Sequence, residues 1–436
     1  MKTTLIRFTL PLLLALTLTS RLSAHFMFVH IVHGSAPRIE LHFAESAWDF
    51  SVNSGMVDIL ERVKATLPDG SALEFERRPF GFVAKLQPNQ VTAAASLTYG
   101  MIGRGGAPFL LEYYAKGAIS LKNAATATGL GAEILAEETS PGRTTLTVLF
   151  RGAPAPGAEV VVPLEGTYTE KRTTDAAGKL VIPTPTAPLF SIRAMVAEER
   201  EGEHDGKPFS LAKHYTTLTV HPDNVPSNCD GVAWAVLQDA AHCCAAFLPA
   251  EKQWNASFRL SGAKAPASGS LKGSARDVRL TDASAEMTPA LSAQVQMLTC
   301  FRNPAVTGGH AVVFAADRKA TGEAYIDVPG LQLSYVIRDR QIEVVEQAGD
   351  AISKRVDVTG WKMTHDERML PASLVVTHFN DAKEIVSTTM MKRTYKESEK
   401  GWVMDRQDCC AVTGLGVAAR TSLRFSDVEV SDATTR

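Results

Sequence analysis

Short β-strand patterns separated by turn sequences run through residues 143–222, and they limit the folds that this chain can adopt. Residues 144–150 (TTLTVLF) are typical of a strand, and a Gly/Pro-rich turn leads from them into a second strand. Further strand patterns follow at residues 191–196 and 214–220. Strands spaced about eight to twelve residues apart are typical of a β-sandwich. Residues 139–222 are therefore predicted to form an Ig-like β-sandwich, with the charged segment before the last strand as an exposed excursion.

The sequence pattern of the preceding residues, 25–138, also predicts an all-β, β-sandwich-like unit. Residues 25–33 are rich in Phe, Val and Ile, and residues 38–44 alternate apolar and polar side chains. This alternation predicts a strand with one face in water. A further strand is predicted from residue 109, and a short helix over residues 51–67.

A linker at residues 223–231 separates these units from the rest of the chain. Residues 232–436 begin with an alanine-rich helical pattern and continue with strand patterns, including a hairpin that turns near Asp339. A Gly/Ala/Ser/Pro-rich stretch at residues 262–273 is predicted to be a loop. The predicted fold class is mainly β: two β-sandwich (Ig-like) units, followed by an α+β domain with a helix on an antiparallel sheet.

The N-terminus has the pattern of a secretory signal peptide at residues 1–24. A charged start precedes an apolar run at residues 8–18, and Leu22-Ser23-Ala24 precedes the predicted cleavage point. The protein is therefore expected to be periplasmic or secreted, with no transmembrane segment after cleavage. The net charge of −2 excludes the strongly basic surface expected of a nucleic-acid-binding protein.

Six cysteines occur, all after residue 228: Cys229, Cys243, Cys244, Cys300, Cys409 and Cys410. An exported protein can oxidise its cysteines, so disulfides within the C-terminal half are predicted. Buried free thiols are the alternative. Six cysteines allow fifteen pairings, and the sequence does not choose among them.

The residue that cleavage would expose is the main candidate for chemistry. If cleavage follows Ala24, His25 becomes the first residue, and its α-amine and imidazole can bind the same ion. Nitrogen pairs of this kind suit a divalent transition metal, Ni, Cu or Zn. No other cofactor is predicted, and the chain has no nucleophile or phosphate-loop motif, so it is not predicted to be an enzyme.

The other ligands must come from other strands. His30 and His33 share the strand pattern of His25, but His33 lies about 27 Å away at ~3.3 Å per residue, and His30 points to the other face. We therefore predict His214 as the partner of His25, with His42 and Glu45 as further ligands. The alternative is that these histidines are polar surface residues.

A family resemblance points the same way. The mature Ala-His-Phe-x-Phe-Val start, the Phe-Leu-Leu-x-Tyr-Tyr strand and the His-Tyr-x-Thr-Leu segment resemble a bacterial periplasmic family related to nickel-uptake components of the NikM/NikK type. The C-terminal half resembles an uncharacterised bacterial domain with a helix on a curved sheet. The resemblance implies an exported, nickel-uptake-like metal-handling protein whose partner is a metal-uptake system or another envelope protein. The alternative function is an envelope structural or protein-interaction module without a metal.

Overall fold

The protein is described here by a computed structural model, and strands make up 65% of the residues that the structure describes. The prediction of a mainly β protein is therefore confirmed. The structure describes residues 25–49, 57–78, 81–103, 107–163, 169–185, 187–221, 225–244, 252–262, 267–274, 278–280, 309–315, 323–349, 352–365, 368–398, 401–413 and 416–432.

The strands and helices fall into two groups along the chain, before and after residue 225. The first group is β1 Phe26–Val32, β2 Arg38–Ala44, β3 Lys64–Thr66, β4 Glu76–Arg78, β5 Gly81–Lys85, β6 Thr92–Ile102, β7 Phe109–Ala118, helix α1 Leu121–Ala124, β8 Ala132–Ser140, β9 Arg143–Phe150, β10 Ala153–Pro154, β11 Glu159–Pro163, β12 Thr169–Thr173, β13 Lys179–Pro183, β14 Phe190–His204 and β15 Lys207–Val220. A short 3-10 helix, Asp58–Arg62, precedes β3.

The second group is helix α2 Gly231–Cys243, β16 Lys252–Ser261, β17 Ala267–Ser274, β18 Val278–Leu280, β19 Val313–Phe314, β20 Ala324–Val328, a 3-10 turn Pro329–Leu331, β21 Leu333–Arg338, β22 Gln341–Gln347, β23 Ser353–Met363, β24 Met369–Phe379, β25 Ile385–Ser398, β26 Gly401–Thr413 and β27 Gly416–Asp432. Its strands form one twelve-stranded sheet in the order β18-β17-β16-β27-β26-β25-β24-β23-β22-β21-β20-β19.

Three sheets build the first group. A four-stranded sheet has the order β1-β2-β5-β4, and a seven-stranded sheet has the order β12-β11-β14-β15-β7-β6-β3. The third sheet joins β10, β9 and β13, and β8 also pairs with β9. The parallel pairing of β7 with β15 joins strands from residues 25–138 and 139–222 into one sheet. The boundary predicted near residue 138 falls inside β8.

The β1–β2 hairpin is buried on both faces, where the sequence pattern predicted one face in water. All residues of β1 are buried, and so are the polar residues Glu40 and His42 of β2. β1 packs directly on the seven-stranded sheet because Gly117 has no side chain: an added Cβ would lie 2.6 Å from the Val29 carbonyl oxygen. The Thr217 hydroxyl also donates a hydrogen bond to the backbone of β1.

Several local predictions need correction. The segment predicted as an exposed excursion is largely exposed, but it is the end of a long hairpin, because β14 and β15 continue pairing as far as His204 and Lys207. Within the predicted helix at residues 51–67, the described part is a 3-10 helix followed by β3, and residues 51–56 lie outside the described residues. The loop predicted at residues 262–273 contains most of strand β17.

The predicted disulfides are also absent from the described residues. Among the described cysteines, Cys229, Cys409 and Cys410 are free thiols, and Cys229 and Cys409 are buried. Burial raises the pKa of Cys409 to about 11, which keeps this thiol protonated and weakly nucleophilic. Cys300 lies outside the described residues.

Asp230 joins the two groups of strands. Its side chain accepts hydrogen bonds from the backbone N–H groups of Val232 and Ala233, both at 3.1 Å, and so caps the first turn of α2. The other carboxylate oxygen lies 2.8 Å from the guanidinium of Arg38 on β2. Its backbone N–H donates to the Val312 carbonyl next to β19, at 2.8 Å. Helix, hairpin and twelve-stranded sheet therefore meet at one residue.

A second buried ion pair fixes α2 to the twelve-stranded sheet. The predicted hairpin near Asp339 is confirmed, and its two turn residues, Asp339 and Arg340, have φ values of 47° and 65°. A two-residue turn with positive φ at both positions matches the twist of the strands that it joins, although glycine or asparagine is usual at these positions. In this conformation Arg340 reaches Asp239 of α2 at 2.7 and 3.0 Å, and its guanidinium lies 4.9 Å from the Trp48 ring.

We predict that Arg340→Gly lowers the free energy of unfolding by about 2–4 kcal/mol. Loss of one partner of a buried ion pair costs about 3–5 kcal/mol, and glycine recovers only about 1 kcal/mol at a left-handed position. Urea titration measures the change. Asp339→Gly, at the other left-handed position of the same turn, is the control and should change stability by less than about 1 kcal/mol. Equal stability of Arg340→Gly and the parent would contradict this role.

Candidate functional site

His25 and Glu45 lie at the same end of the β1–β2 hairpin. The first paired residues of the two strands are Phe26 and Ala44, so the register places His25 opposite Glu45. The His25 ring is partly exposed and stacks on Phe43, with 6.2 Å between ring centroids. The backbone N–H of Glu45 donates to the Asp49 carboxylate, at 3.2 Å, which brings a second acidic residue to this end.

The structure does not bring His214 to His25. On β15, Tyr215 packs against Phe26, and neighbouring residues of a strand point to opposite faces. His214 therefore points away from β1. Its ring nitrogens lie 2.9 Å from the Glu112 carboxylate and 3.2 Å from that of Glu198. This buried histidine holds two carboxylates together across three strands of the seven-stranded sheet, and hydrogen bonding from it lowers the pKa of Glu112.

The structure places His42 in a buried cluster with two other histidines. The Nδ1 atom of His30 on β1 lies 2.9 Å from Nε2 of His221, which follows β15. The ring centroid of His30 lies 5.1 Å from that of His42 and 5.0 Å from that of His221. The exposed fractions of the three residues are 1%, 3% and 3%. We call His30, His42 and His221 the histidine cluster. His42 points to the opposite face of the hairpin from His25, because it pairs with Phe28.

A buried carboxylate orients the cluster. Glu40, which is fully buried, accepts a hydrogen bond from Nε2 of His42 at 2.7 Å and forms an ion pair with Arg38. Arg38 also bonds to Asp230. Two carboxylates thus share one guanidinium, which leaves a net negative charge beside the histidines.

Burial keeps His30 and His221 neutral. The pKa of His221 falls to about 3, chiefly because burial disfavours its charged form; the charges of His33 and His42 lower it further, and Glu40 opposes them. Burial likewise lowers the pKa of His30 well below its usual value, and the neighbouring His221 and His42 add to this effect. Both imidazoles are therefore uncharged at neutral pH.

Sequence reasoning did not find this cluster. Strand alternation predicts that His30 and His25 point to opposite faces, and the structure confirms this. The neighbours of His30, however, lie on other chain segments. The only available signal was the pairing of two seven-residue strands, which sets His30 opposite Glu40. Nothing in the sequence indicated His221, because its position depends on the parallel pairing of β7 and β15.

In the part of the chain that the structure describes, no group of three or more His, Cys, Asp or Glu side chains is placed so that it could hold a metal ion. No helix of the described ranges is long and apolar enough to span a membrane. The metal-binding roles of His25, His214, His42 and Glu45 therefore remain predictions. Of these four residues, only His25 and Glu45 lie next to each other.

Comparison with known proteins gives little further information. No family model matches the chain, and no curated protein matches it. A DUF1329 family protein from Desulfovibrio piger shares 6% identity over 47% of this chain and 93% of its own length, with a TM-score of 0.21. A domain described as a putative outer membrane lipoprotein-sorting protein, from Vibrio parahaemolyticus, shares 7% identity. The match covers 47% of this chain and 94% of that domain, with a TM-score of 0.18.

A Ca2+-stabilised, ice-binding adhesin from an Antarctic bacterium shares 8% identity over 92% of this chain and 98% of its own, with a TM-score of 0.13. TM-scores this low support no argument about fold or function. The resemblance to nickel-uptake components therefore remains a prediction from sequence.

The buried His221 makes a specific prediction about pH. Between pH 6.5, the usual histidine value, and about 3, the unfolded chain binds a proton that the folded His221 does not. Stability of the metal-free protein should therefore fall as pH falls through this window. In urea titrations with EDTA, the free energy of unfolding should fall less between pH 7 and pH 4 in His221→Gln than in the parent. The difference should be about 1.4 kcal/mol or more, which is the equivalent of one pKa unit.

The control is His204→Gln, at the end of the long β14–β15 hairpin, which should keep the pH dependence of the parent. A His221→Gln variant with the same pH dependence as the parent would show that His221 is not held neutral by its surroundings.

Proposed function

We propose that this is an exported metal-handling protein, nickel-uptake-like, that binds a divalent transition metal through its mature N-terminal His25. The observation that supports this most directly is the position of His25 at the open end of the hairpin, opposite Glu45. All of the next seven residues are buried, whereas the His25 side chain is only partly covered. It is the residue of this strand that an ion can reach from water.

The donors at this end suit such an ion. The α-amine and the ring of His25 can close a chelate, and the Glu45 carboxylate supplies an oxygen from the adjacent strand. The backbone contact of Glu45 with Asp49 adds a second acidic side chain nearby. Nitrogen donors with one carboxylate suit Ni2+, Cu2+ and Zn2+. An accessible site with few protein ligands favours transfer of the ion to an uptake system or another envelope protein over permanent storage.

A second candidate function is an envelope protein-interaction module, with Ig-like sandwich units as spacers. One observation favours it. Large apolar side chains are exposed on the twelve-stranded sheet, among them Val386 and Met390 of β25, which are 48% and 50% exposed. Exposed apolar groups of this kind can mark a contact surface.

Calorimetric titration with Ni2+ tests the proposed function. We expect protein that begins at His25 to bind at least about ten times more tightly than protein extended by four Gly/Ser residues, because the extension removes the α-amine from the chelate. Shorter extensions are avoided, since an amine, one or two amide nitrogens and a histidine ring can themselves chelate Ni2+ and Cu2+. Glu45→Gln should weaken binding in the mature form only.

Equal Ni2+ affinity of the two forms would rule out the His25 site. Binding by neither form would favour the interaction module.

A further inference from the structure

We infer that a polar cavity beside strands β3, β6 and β7 is a binding site for a small zwitterion, either a free amino acid or a short peptide. The cavity has a volume of about 380 Å³, within the range of about 300–1,000 Å³ that is typical of small-molecule sites. It shares no residue with the proposed His25 site, so the two sites can be tested separately. We call it the β6–β7 cavity, and its polar lining consists of Arg62, Lys64, Ser96, Thr98, Glu112 and Tyr114.

Strand register places these side chains on one face of the seven-stranded sheet. Ser96 of β6 pairs with Lys64 of β3 on one side and with Tyr114 of β7 on the other. Thr98 of β6 pairs with Glu112 of β7. Residues two apart on a strand point to the same face, so the side chains from β6 and β7 form a polar floor and Lys64 continues it onto β3.

The negative charge of the cavity is a carboxylate held in place. Oε2 of Glu112 accepts a hydrogen bond from the Tyr114 hydroxyl at 2.8 Å and lies 2.9 Å from Nδ1 of His214. His214 also contacts Glu198, which pairs with Arg151. Hydrogen bonding from His214 lowers the pKa of Glu112, although burial opposes it, so the carboxylate is ionised at neutral pH.

The second oxygen of this carboxylate is available to a ligand. Oε1 of Glu112 has no hydrogen-bond partner within the described ranges of the chain. An ionised carboxylate that is fixed through one oxygen can accept a strong, charge-assisted hydrogen bond from an ammonium group at the other.

The positive charges of the cavity lie on the side of β3. The Lys64 ammonium is exposed and forms no ion pair with any residue that the structure describes. The Arg62 guanidinium donates to the backbone carbonyl of Tyr99, at 3.2 Å, and it too pairs with no described carboxylate. Opposite charges therefore line one cavity without pairing with each other.

This charge pattern selects the class of ligand. A simple anion is repelled by Glu112, and a simple cation is repelled by Arg62 and Lys64. A ligand with an amine at one end and a carboxylate at the other pairs with both sides of the cavity.

Strand spacing limits the size of the ligand. Strands β3 and β7 are two strand spacings apart, about 10 Å between backbones, and the long basic side chains shorten the gap. An extended peptide covers about 3.3–3.6 Å per residue, so one to three residues can bridge the charges. The hydroxyls of Ser96 and Thr98, on the strand between, can bond to the polar groups of the ligand.

Calorimetric titration of the mature chain tests the site, with alanine and trialanine as probes. EDTA is present so that no metal links the amine of a probe to His25. We expect saturable binding, and the tighter probe tells whether a free amino acid or a short peptide is the ligand. Forms of that probe with an acetylated amine or an amidated carboxylate should bind at least about tenfold more weakly, because each loses one charge-assisted contact.

Two variants assign each end of the ligand. Glu112→Gln should bind the tighter probe at least about tenfold more weakly and should lose the preference for the free over the acetylated amine. Lys64→Met should bind it about threefold more weakly and reduce the preference for the free over the amidated carboxylate. Glu199→Gln and Lys85→Met, which change exposed residues outside the cavity, should bind like the parent.

The inference is overturned if the parent binds neither probe, or if it binds the acetylated and amidated forms as tightly as the free probe. Because this comparison uses the parent chain, it decides even if Glu112→Gln does not fold. Binding that is unchanged in a folded Glu112→Gln also overturns the inference.

Discussion

The contact between Asp230 and Arg38 is a buried ion pair that links the two groups of strands. Asp230 is 8% exposed, and a carboxylate so poorly hydrated is stable only when its oxygens are bonded. It meets this need by capping α2 and by pairing with Arg38 of the β1–β2 hairpin. The chain passes at this residue from the first group of strands to the second, and Asp230 bonds to both: its side chain to Arg38 and to the first turn of α2, and its backbone N–H to Val312.

The same guanidinium connects the junction to the histidine cluster. Arg38 bonds to Asp230 on one side and to Glu40 on the other, and Glu40 orients His42. Buried charge networks of this kind are costly unless every member is bonded, so they fix the geometry of the groups they contain. The ring of His42 is therefore oriented, through Glu40 and Arg38, by the contact that links the two groups of strands.

The histidines differ in chemistry because they differ in surroundings. His25 stands at the open end of a hairpin, where water and ions reach it. His214 is fully occupied by Glu112 and Glu198 and holds strands together. His30 and His221 are kept neutral by burial and lie beside each other. The same residue type therefore lies at an accessible strand end, in a contact between strands and in a buried, uncharged pair.

The sequence alone determined the mainly β character and the locations of β1, β2, β7 and the hairpin at Asp339, because alternation and turn residues are local properties. It also singled out His25 and the neighbouring Glu45. Tertiary structure decided which histidines meet. His30 and His221 are 191 positions apart, and their contact depends on the parallel pairing of β7 with β15 and on the close packing of β1 at Gly117. The burial of Glu40 and His42 was likewise decided by what covers the second face of the hairpin, which a strand pattern cannot show.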